Sequence, residues 1–218
     1  MVDPSIQGTQ NLLDAIDACG GVNRFVHTSS VAAVRRTGYD NGRTFTQEDW
    51  CDNATVDSNA YGMAKAGAEK LAREWIASKS EAPRYVSINP CVVFGPVMAE
   101  RHLKGSMTII DHLLKRKPNV LLKMHVNIVD VRDVAEAHVR ALTMGQNAGR
   151  YLTVSGDMQF SEISRTLRKE YPELKTPRFT VPYVIALVFG PLFDKRITLS
   201  WARQHLKRKL YWDATVSY

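Results

Sequence analysis

The order of elements along this chain predicts an α/β fold built on a parallel sheet. Three stretches carry the prediction. The run Arg24-Phe25-Val26-His27-Thr28-Ser29-Ser30 has an apolar strand pattern, ends in hydroxyl residues, and follows Gly20-Gly21, a helix-stop signal. A second strand pattern, Arg84-Tyr85-Val86-Ser87-Ile88-Asn89-Pro90, stops at proline and leads into Cys91-Val92-Val93-Phe94-Gly95-Pro96. Between them, Asn59 to Lys79 is free of proline and rich in Ala, Lys and Glu, which predicts a helix. An earlier helix is predicted at residues 6–18. Helix, strand, long loop, helix, strand is the order of a parallel sheet, because parallel neighbours need a crossover. Ligands on such sheets bind outside the carboxyl ends of the strands, where Ser30 and Pro90 fall.

Further along, Asn127-Ile128-Val129-Asp130-Val131-Arg132-Asp133-Val134-Ala135 reads mainly as structural. Asp130 is the expected N-cap of a helix, and Asp133 complements its positive end. Val134, Ala137, His138 and Ala141 would form the packed face, with His138 structural rather than a ligand. Val181 to Phe193 is the most apolar stretch, interrupted by Pro182, Gly190 and Pro191. It falls short of the roughly 20 residues of a spanning helix and predicts a buried one. The loop from Val31 to Asp57 is the expected substrate-facing segment, with Arg35 and Arg36 exposed to solvent. Lys195, Arg196, Arg203, Lys207, Arg208 and Lys209, interleaved with Trp201, Tyr211 and Trp212, read as the solvated face of a C-terminal helix.

The composition fits one kind of protein. At 218 residues and 44% apolar, the chain can bury a globular core. A net charge of +7 is modest, and no nucleic-acid or membrane role is predicted from it. Met1 to Gln10 is too polar for a signal peptide. Three scattered cysteines, Cys19, Cys51 and Cys91, suit a reducing compartment, so the expected location is cytoplasmic. The six histidines form neither HxxxH nor HExxH, and no metal site is predicted.

The chemistry-bearing motif is Tyr61-Gly62-Met63-Ala64-Lys65. Residues at i and i+4 lie one above the other on a helix, so a phenol and an ammonium can act on one small molecule. A phenol, with an ordinary pKa of about 10, is a weak acid at neutral pH, and a nearby cation stabilises its phenolate. Spacing alone does not decide the matter. Tyr171-Pro172-Glu173-Leu174-Lys175 has the same spacing, but Pro172 marks a helix end or turn.

PSIQGTQNLLDA, GVNRFVHTSSVAAV, YGMAK, YVSINPCVVFGP and VNIVDVRDVAEAHVRAL occur in that order from Pro4 onward. Together they resemble the extended short-chain dehydrogenase/reductase family, within the NAD-dependent epimerase/dehydratase superfamily. Within it the chain is most similar to the dihydroflavonol 4-reductase and cinnamoyl-CoA reductase branch. The resemblance implies a Rossmann-like parallel sheet with a smaller C-terminal substrate subdomain. Residues 1–100 would be the remaining half of the nucleotide-binding domain. Residues 101–218 would hold the substrate subdomain, with 127–156 returning to the core sheet.

By position, the family's catalytic residues fall on Ser30, Tyr61 and Lys65. The implied reaction is hydride transfer between NADP or NAD, with NADP favoured, and a substrate carbonyl. Ser30 would hydrogen-bond the carbonyl oxygen, Tyr61 would pass the proton, and Lys65 would hold the nicotinamide ribose. Tyr61, Lys65, Pro90, Val93 and Ser106 would contact cofactor. Helices 6–18 and 59–79 resemble a pair that relatives use to form homodimers. Ser30-Val31-Ala32 lacks the acidic residues of the dehydratases, and Val34-Arg35-Arg36 replaces the Tyr-Gly common in epimerases. Two alternatives stay open: a sugar-nucleotide epimerase, or a non-catalytic fragment. None of the thirteen glycines forms GxxGxxG or GxGxxG, so the sheet is expected to lack its first βα units. The strand at Arg24 would then have an exposed edge and exposed apolar faces, with poor solubility and no tight cofactor binding for these residues alone.

Overall fold

A computed structural model describes residues 1–38, 42–117, 119–193, 206 and 208–215. In chain order the elements are α1 (Val2–Cys19), β1 (Arg24–Thr28), β2 (Thr44–Phe45), α2 (Val56–Ala77), β3 (Arg84–Pro90) and β4 (Val92–Phe94). They continue with α3 (Thr108–Lys115), β5 (His125–Asp130), α4 (Val131–Ala141), β6 (Gly149–Thr153), β7 (Gly156–Gln159), α5 (Phe160–Glu170), α6 (Tyr183–Phe193) and β8 (Tyr211–Trp212). Contacts divide the chain into two units. The first comprises Met1–Cys91, Val131–Val154 and Tyr211–Tyr218; the second comprises Val92–Asp130 and Ser155–Leu210.

In the first unit, β1, β3 and β6 form a parallel sheet in the order β1-β3-β6. Side chains alternate along each strand, which sorts them between two faces. Phe25 and Tyr85 point toward α1 and α2 and pack with Leu13, Ala72 and Ile76. Val26, Val86 and Ile88 point the other way, against Ala137 and Ala141 of α4 and against Tyr151. Helices on both faces are what a parallel sheet requires. The predicted packed face of α4 is therefore present. His138 is structural too: Nδ1 lies 2.7 Å from the Val134 carbonyl and Nε2 lies 2.7 Å from Thr28 Oγ1, which ties α4 to the end of β1.

The stop after α1 is real: Gly20 and Gly21 have φ of 62° and 69°, where residues with a Cβ are strained. β1 pairs only with β3 among the described residues. Its apolar face is not exposed, because Phe25 is buried under the two helices. β2 pairs in parallel with β8, and Phe45 lies against Trp212 with ring centroids 5.3 Å apart. Tyr211 and Trp212 are thus strand rather than C-terminal helix. Backbone pairing with Thr44 and Phe45 outweighs the helical charge pattern there. Of the C-terminal basic cluster, Lys195, Arg196, Arg203 and Lys207, with Trp201, lie outside the described residues.

The second unit has its own sheet, order β4-β5-β7, parallel between β4 and β5 and antiparallel between β5 and β7. Its core joins Leu113, Leu121, Val126 and Ile163. Helix α6 departs from expectation. Ala186 is buried with Leu206, yet Val184, Ile185 and Val188 are exposed. Among the described side chains one stripe of this apolar helix finds a partner, so the expected burial holds for that stripe and not for Val184, Ile185 and Val188. No described helix is long and apolar enough to cross a membrane.

Candidate active site

The Tyr61–Lys65 motif owes its position to a break in α2. Thr55 caps the first turn, accepting a hydrogen bond from the Ser58 amide at 3.1 Å. Asn59 then leaves the helical conformation, and its Oδ1 accepts the Gly62 amide at 2.9 Å, capping the helix a second time. The Asn59 Nδ2 donates to Thr37 Oγ1 at 3.2 Å, which anchors the break to the long loop. A Cβ at Gly62 would come within 2.4 Å of Asn59 Nδ2, so a larger residue there would have to shift the Asn59 side chain. Tyr61 therefore stands in the first turn of a freshly started helix, half exposed. Lys65 follows one turn later, with Nζ 6.0 Å from the centre of the Tyr61 ring. Neither polar head has a hydrogen-bond or ion-pair partner among the described residues.

Ser29 and Ser30, adjacent in sequence, differ sharply in what they touch. Ser29 Oγ donates to Glu69 Oε2 at 2.5 Å in a buried environment. Ser30 Oγ accepts the Ala32 amide at 3.1 Å and donates to the Pro90 carbonyl at 3.4 Å, a long bond. The turn that follows Ser30 packs on α2 through Ala33 and Ala66, next to Lys65. No hydrogen bond joins Ser30 to Tyr61 or Lys65 among the described residues.

Glu69 was not singled out from sequence, and it organises this end of the sheet. It lies one turn beyond Lys65, fully buried. Its carboxylate accepts Ser29 Oγ, Ser87 Oγ at 3.0 Å, Asn89 Nδ2 at 2.8 Å and Arg150 Nε at 2.6 Å. Arg150 carries the network outward: it donates to the carbonyls of Gln47, Asp49 and Ala33, and its guanidinium stacks 3.7 Å from the centre of the Trp50 ring. Asn89 Nδ2 also donates to the Ser30 carbonyl at 3.2 Å. Burial pushes the Glu69 carboxyl up, but the Arg150 charge and the hydrogen bonds from Ser29, Asn89 and Arg150 outweigh it, holding it below its ordinary value. Nearby, burial lowers the His27 imidazole, partly opposed by Glu69, and His27 Nδ1 sits 2.9 Å from the Tyr85 hydroxyl.

The remaining predicted site residues divide between the units. Pro90 ends β3 in the first unit, beside Ser30. Val93 lies in β4, half-buried and paired with Val129, and Ser106 lies in a short 3-10 turn at Gly105–Met107; both belong to the second unit. In the long loop, Arg36 is exposed, whereas Arg35 is half-buried and its guanidinium is lowered by burial. The Tyr171 comparison motif behaves as a helix end, with Tyr171 as the C-cap of α5. No metal-ligand cluster occurs among the described residues.

Residues 1–154 match the family described as NAD dependent epimerase/dehydratase. The NADPH-dependent methylglyoxal reductase of Saccharomyces cerevisiae is 32% identical over 190 residues, covering 79% of this chain and 55% of the yeast protein. A cinnamoyl-CoA reductase of Medicago truncatula is 32% identical over 189 residues, covering 81% of this chain and 54% of its own length. Among solved structures, Candida albicans Gre2 in complex with NADPH superposes with a TM-score of 0.76 at 30% identity, covering 98% of this chain and 63% of that one. The chain thus spans about half the length of the curated relatives it matches. With its parallel Rossmann-like sheet, this chain belongs to the NAD dependent epimerase/dehydratase family.

Proposed function

We propose that the whole protein to which this chain belongs is an NAD(P)-dependent reductase that converts a small ketone or aldehyde to an alcohol, with Ser30, Tyr61 and Lys65 as its catalytic residues. The observation that carries this reading is the Tyr61–Lys65 pair: a phenol and an ammonium one turn apart, both without a protein partner among the described residues. Polar heads held on a doubly capped helix and left unpaired are suited to a ligand.

The donor set fits a nicotinamide nucleotide. A lysine ammonium has three donors for ribose hydroxyls, and none is committed elsewhere among the described residues. Buried Asn89 Oδ1 and Thr153 Oγ1, at the carboxyl ends of β3 and β6, also lack partners there. When bound, the nicotinamide supplies the hydride. Lys65 holds the ribose, and Ser30 Oγ–H, released from its long bond to Pro90, donates to the substrate oxygen and stabilises charge developing there. Tyr61 Oη gives its proton to that oxygen. Pro90, Val93 and Ser106 are assigned to the cofactor side. NADP is favoured over NAD, in keeping with NADPH in the Gre2 complex and in the name of the yeast reductase. The three free cysteines suit a cytoplasmic location. Helix α1, with only Val2 and Leu13 buried, leaves a long face that, with α2, is the proposed dimer contact.

The test is net NADPH consumption with methylglyoxal and other small aldehydes and ketones. Oxidation of NADPH that Tyr61→Phe abolishes is the expected result. Epimerised sugar nucleotide without net NADPH consumption would assign the same residues to an epimerase instead.

A further inference from the structure

The second unit contains a cleft of about 850 Å³ whose lining is unusually cationic. Arg116, Arg168, Lys175 and Arg178 border it, against a single carboxylate, Glu173. None of the four cations has a carboxylate partner among the described residues. None of Ser30, Tyr61, Lys65, Pro90, Val93 and Ser106 borders it.

The cations come from three separate chain segments, and hydrogen bonds fix each one. Arg116 ends α3 in the left-handed conformation, φ 53°, with Nε donating to Asn119 Oδ1 at 2.8 Å. Arg168, on α5, donates through Nη1 to Ser164 Oγ at 2.9 Å, Thr176 Oγ1 at 2.8 Å and the Pro177 carbonyl at 2.9 Å. Ser164 and Thr176 are buried, so this guanidinium is anchored through one nitrogen, while Nε and Nη2 have no hydrogen-bond partner among the described residues. Arg178 and Phe179 lie on a segment bridged to Leu121: the Leu121 amide donates to Phe179 O, and the Val181 amide to Leu121 O, both at 2.8 Å. Holding like charges together without counter-charges is unfavourable unless an anion completes the site. Guanidinium groups match phosphate oxygens in geometry as well as charge. Phe179, 61% exposed on the rim, offers a bare ring face.

The geometry points to an anion site in this cleft that takes the pyrophosphate group of a small molecule, with Phe179 stacking on a planar ring attached to it. The volume is within the range of small-molecule sites, about 300–1,000 Å³. Arg116 and Arg168 supply anchored charge, and the exposed Lys175 and Arg178 supply the rest.

Isothermal titration calorimetry of the 218-residue chain tests this, with inorganic pyrophosphate, orthophosphate and ADP as probes. Pyrophosphate is expected to bind more tightly than orthophosphate, and ADP more tightly than pyrophosphate. The double variant Lys175→Gln/Arg178→Gln removes two exposed, unpartnered cations and leaves the core intact. It is expected to weaken pyrophosphate about tenfold or more. Phe179→Ala is expected to remove the ADP preference while leaving pyrophosphate unchanged. Absence of pyrophosphate binding, or equal affinity in the wild type and the double variant, would overturn the proposal. The second result would mean that the anion sits elsewhere, including at a nucleotide site used by the reductase.

Discussion

Ser29 and Ser30 give the sharpest contrast at the residue scale. Ser29 Oγ is committed to buried Glu69, so Ser29→Ala is expected to cost about 1–3 kcal/mol of stability while leaving turnover by the folded enzyme near wild type. Ser30→Ala is expected to lower kcat about 10²-fold or more with little change in Tm. Thermal melts and steady-state kinetics on the two variants separate these outcomes, and the reverse pattern would move the catalytic role to Ser29. Glu69→Gln leaves Arg150 with a neutral partner in a dry site, at an expected cost of up to about 3–5 kcal/mol. Because the folded Glu69 carboxyl is held below its ordinary value of about 4.5, its stabilisation is complete above that pH and lost as pH falls through the folded value. The Tm gap between wild type and Glu69→Gln is therefore expected to be widest near neutral pH and to close below about pH 4.5. A pH-independent gap would contradict that linkage. Glu69 and Arg150 lie 81 residues apart, and no local pattern links them. The available signal was on β3, where Ser87 and Asn89 alternate with Val86 and Ile88. Two polar residues on a strand facing a helix need a buried partner, and Glu69 supplies it.

At the scale of elements, β3 runs over the predicted residues, from Arg84 to Pro90, because proline cannot donate to a continuing ladder. α2 was legible from its proline-free run rich in Ala, Lys and Glu, and the end of α1 from the Gly20-Gly21 stop. The restart of α2 at Asn59 was not, since it depends on Asn59 reaching Thr37 in a distant loop. That restart yields a test: Gly62→Ala would drive a Cβ into the Asn59 side chain and displace the second cap. A loss of about 1–2 kcal/mol is expected, together with reduced turnover because Tyr61 lies in the turn that the cap orders. Asn59→Ala should lose stability similarly, and the double variant should cost little more than either alone, as expected for one shared interaction. Full additivity would show that the two residues act separately. α6 and β8 were misread for physical reasons. Apolar composition does not say which stripe finds a partner, and a two-residue strand pairing with Thr44–Phe45 leaves no periodicity to detect.

For the molecule as a whole, motif order identified an α/β fold with a parallel sheet, and both the family match and the structural neighbours agree. Contacts group strands far apart in sequence, bringing β6 beside β3 and β8 beside β2, whereas sequence boundaries must run in order along the chain. The exposed Val139, Leu142 and Met144 in and just after α4 leave apolar surface on the first unit. Concentration-dependent association of the 218-residue chain, read by light scattering, is the expected consequence; a monodisperse monomer at high concentration would contradict it. Proton donation by Tyr61 in carbonyl reduction by the whole protein is tested by NADPH consumption with small aldehydes, measured for the whole wild-type protein and its Tyr61→Phe variant. Aldehyde-dependent oxidation of NADPH by the wild type is expected, with a loss of about 10²–10⁴-fold in kcat for Tyr61→Phe and Tm unchanged. Equal rates for the two proteins would contradict it.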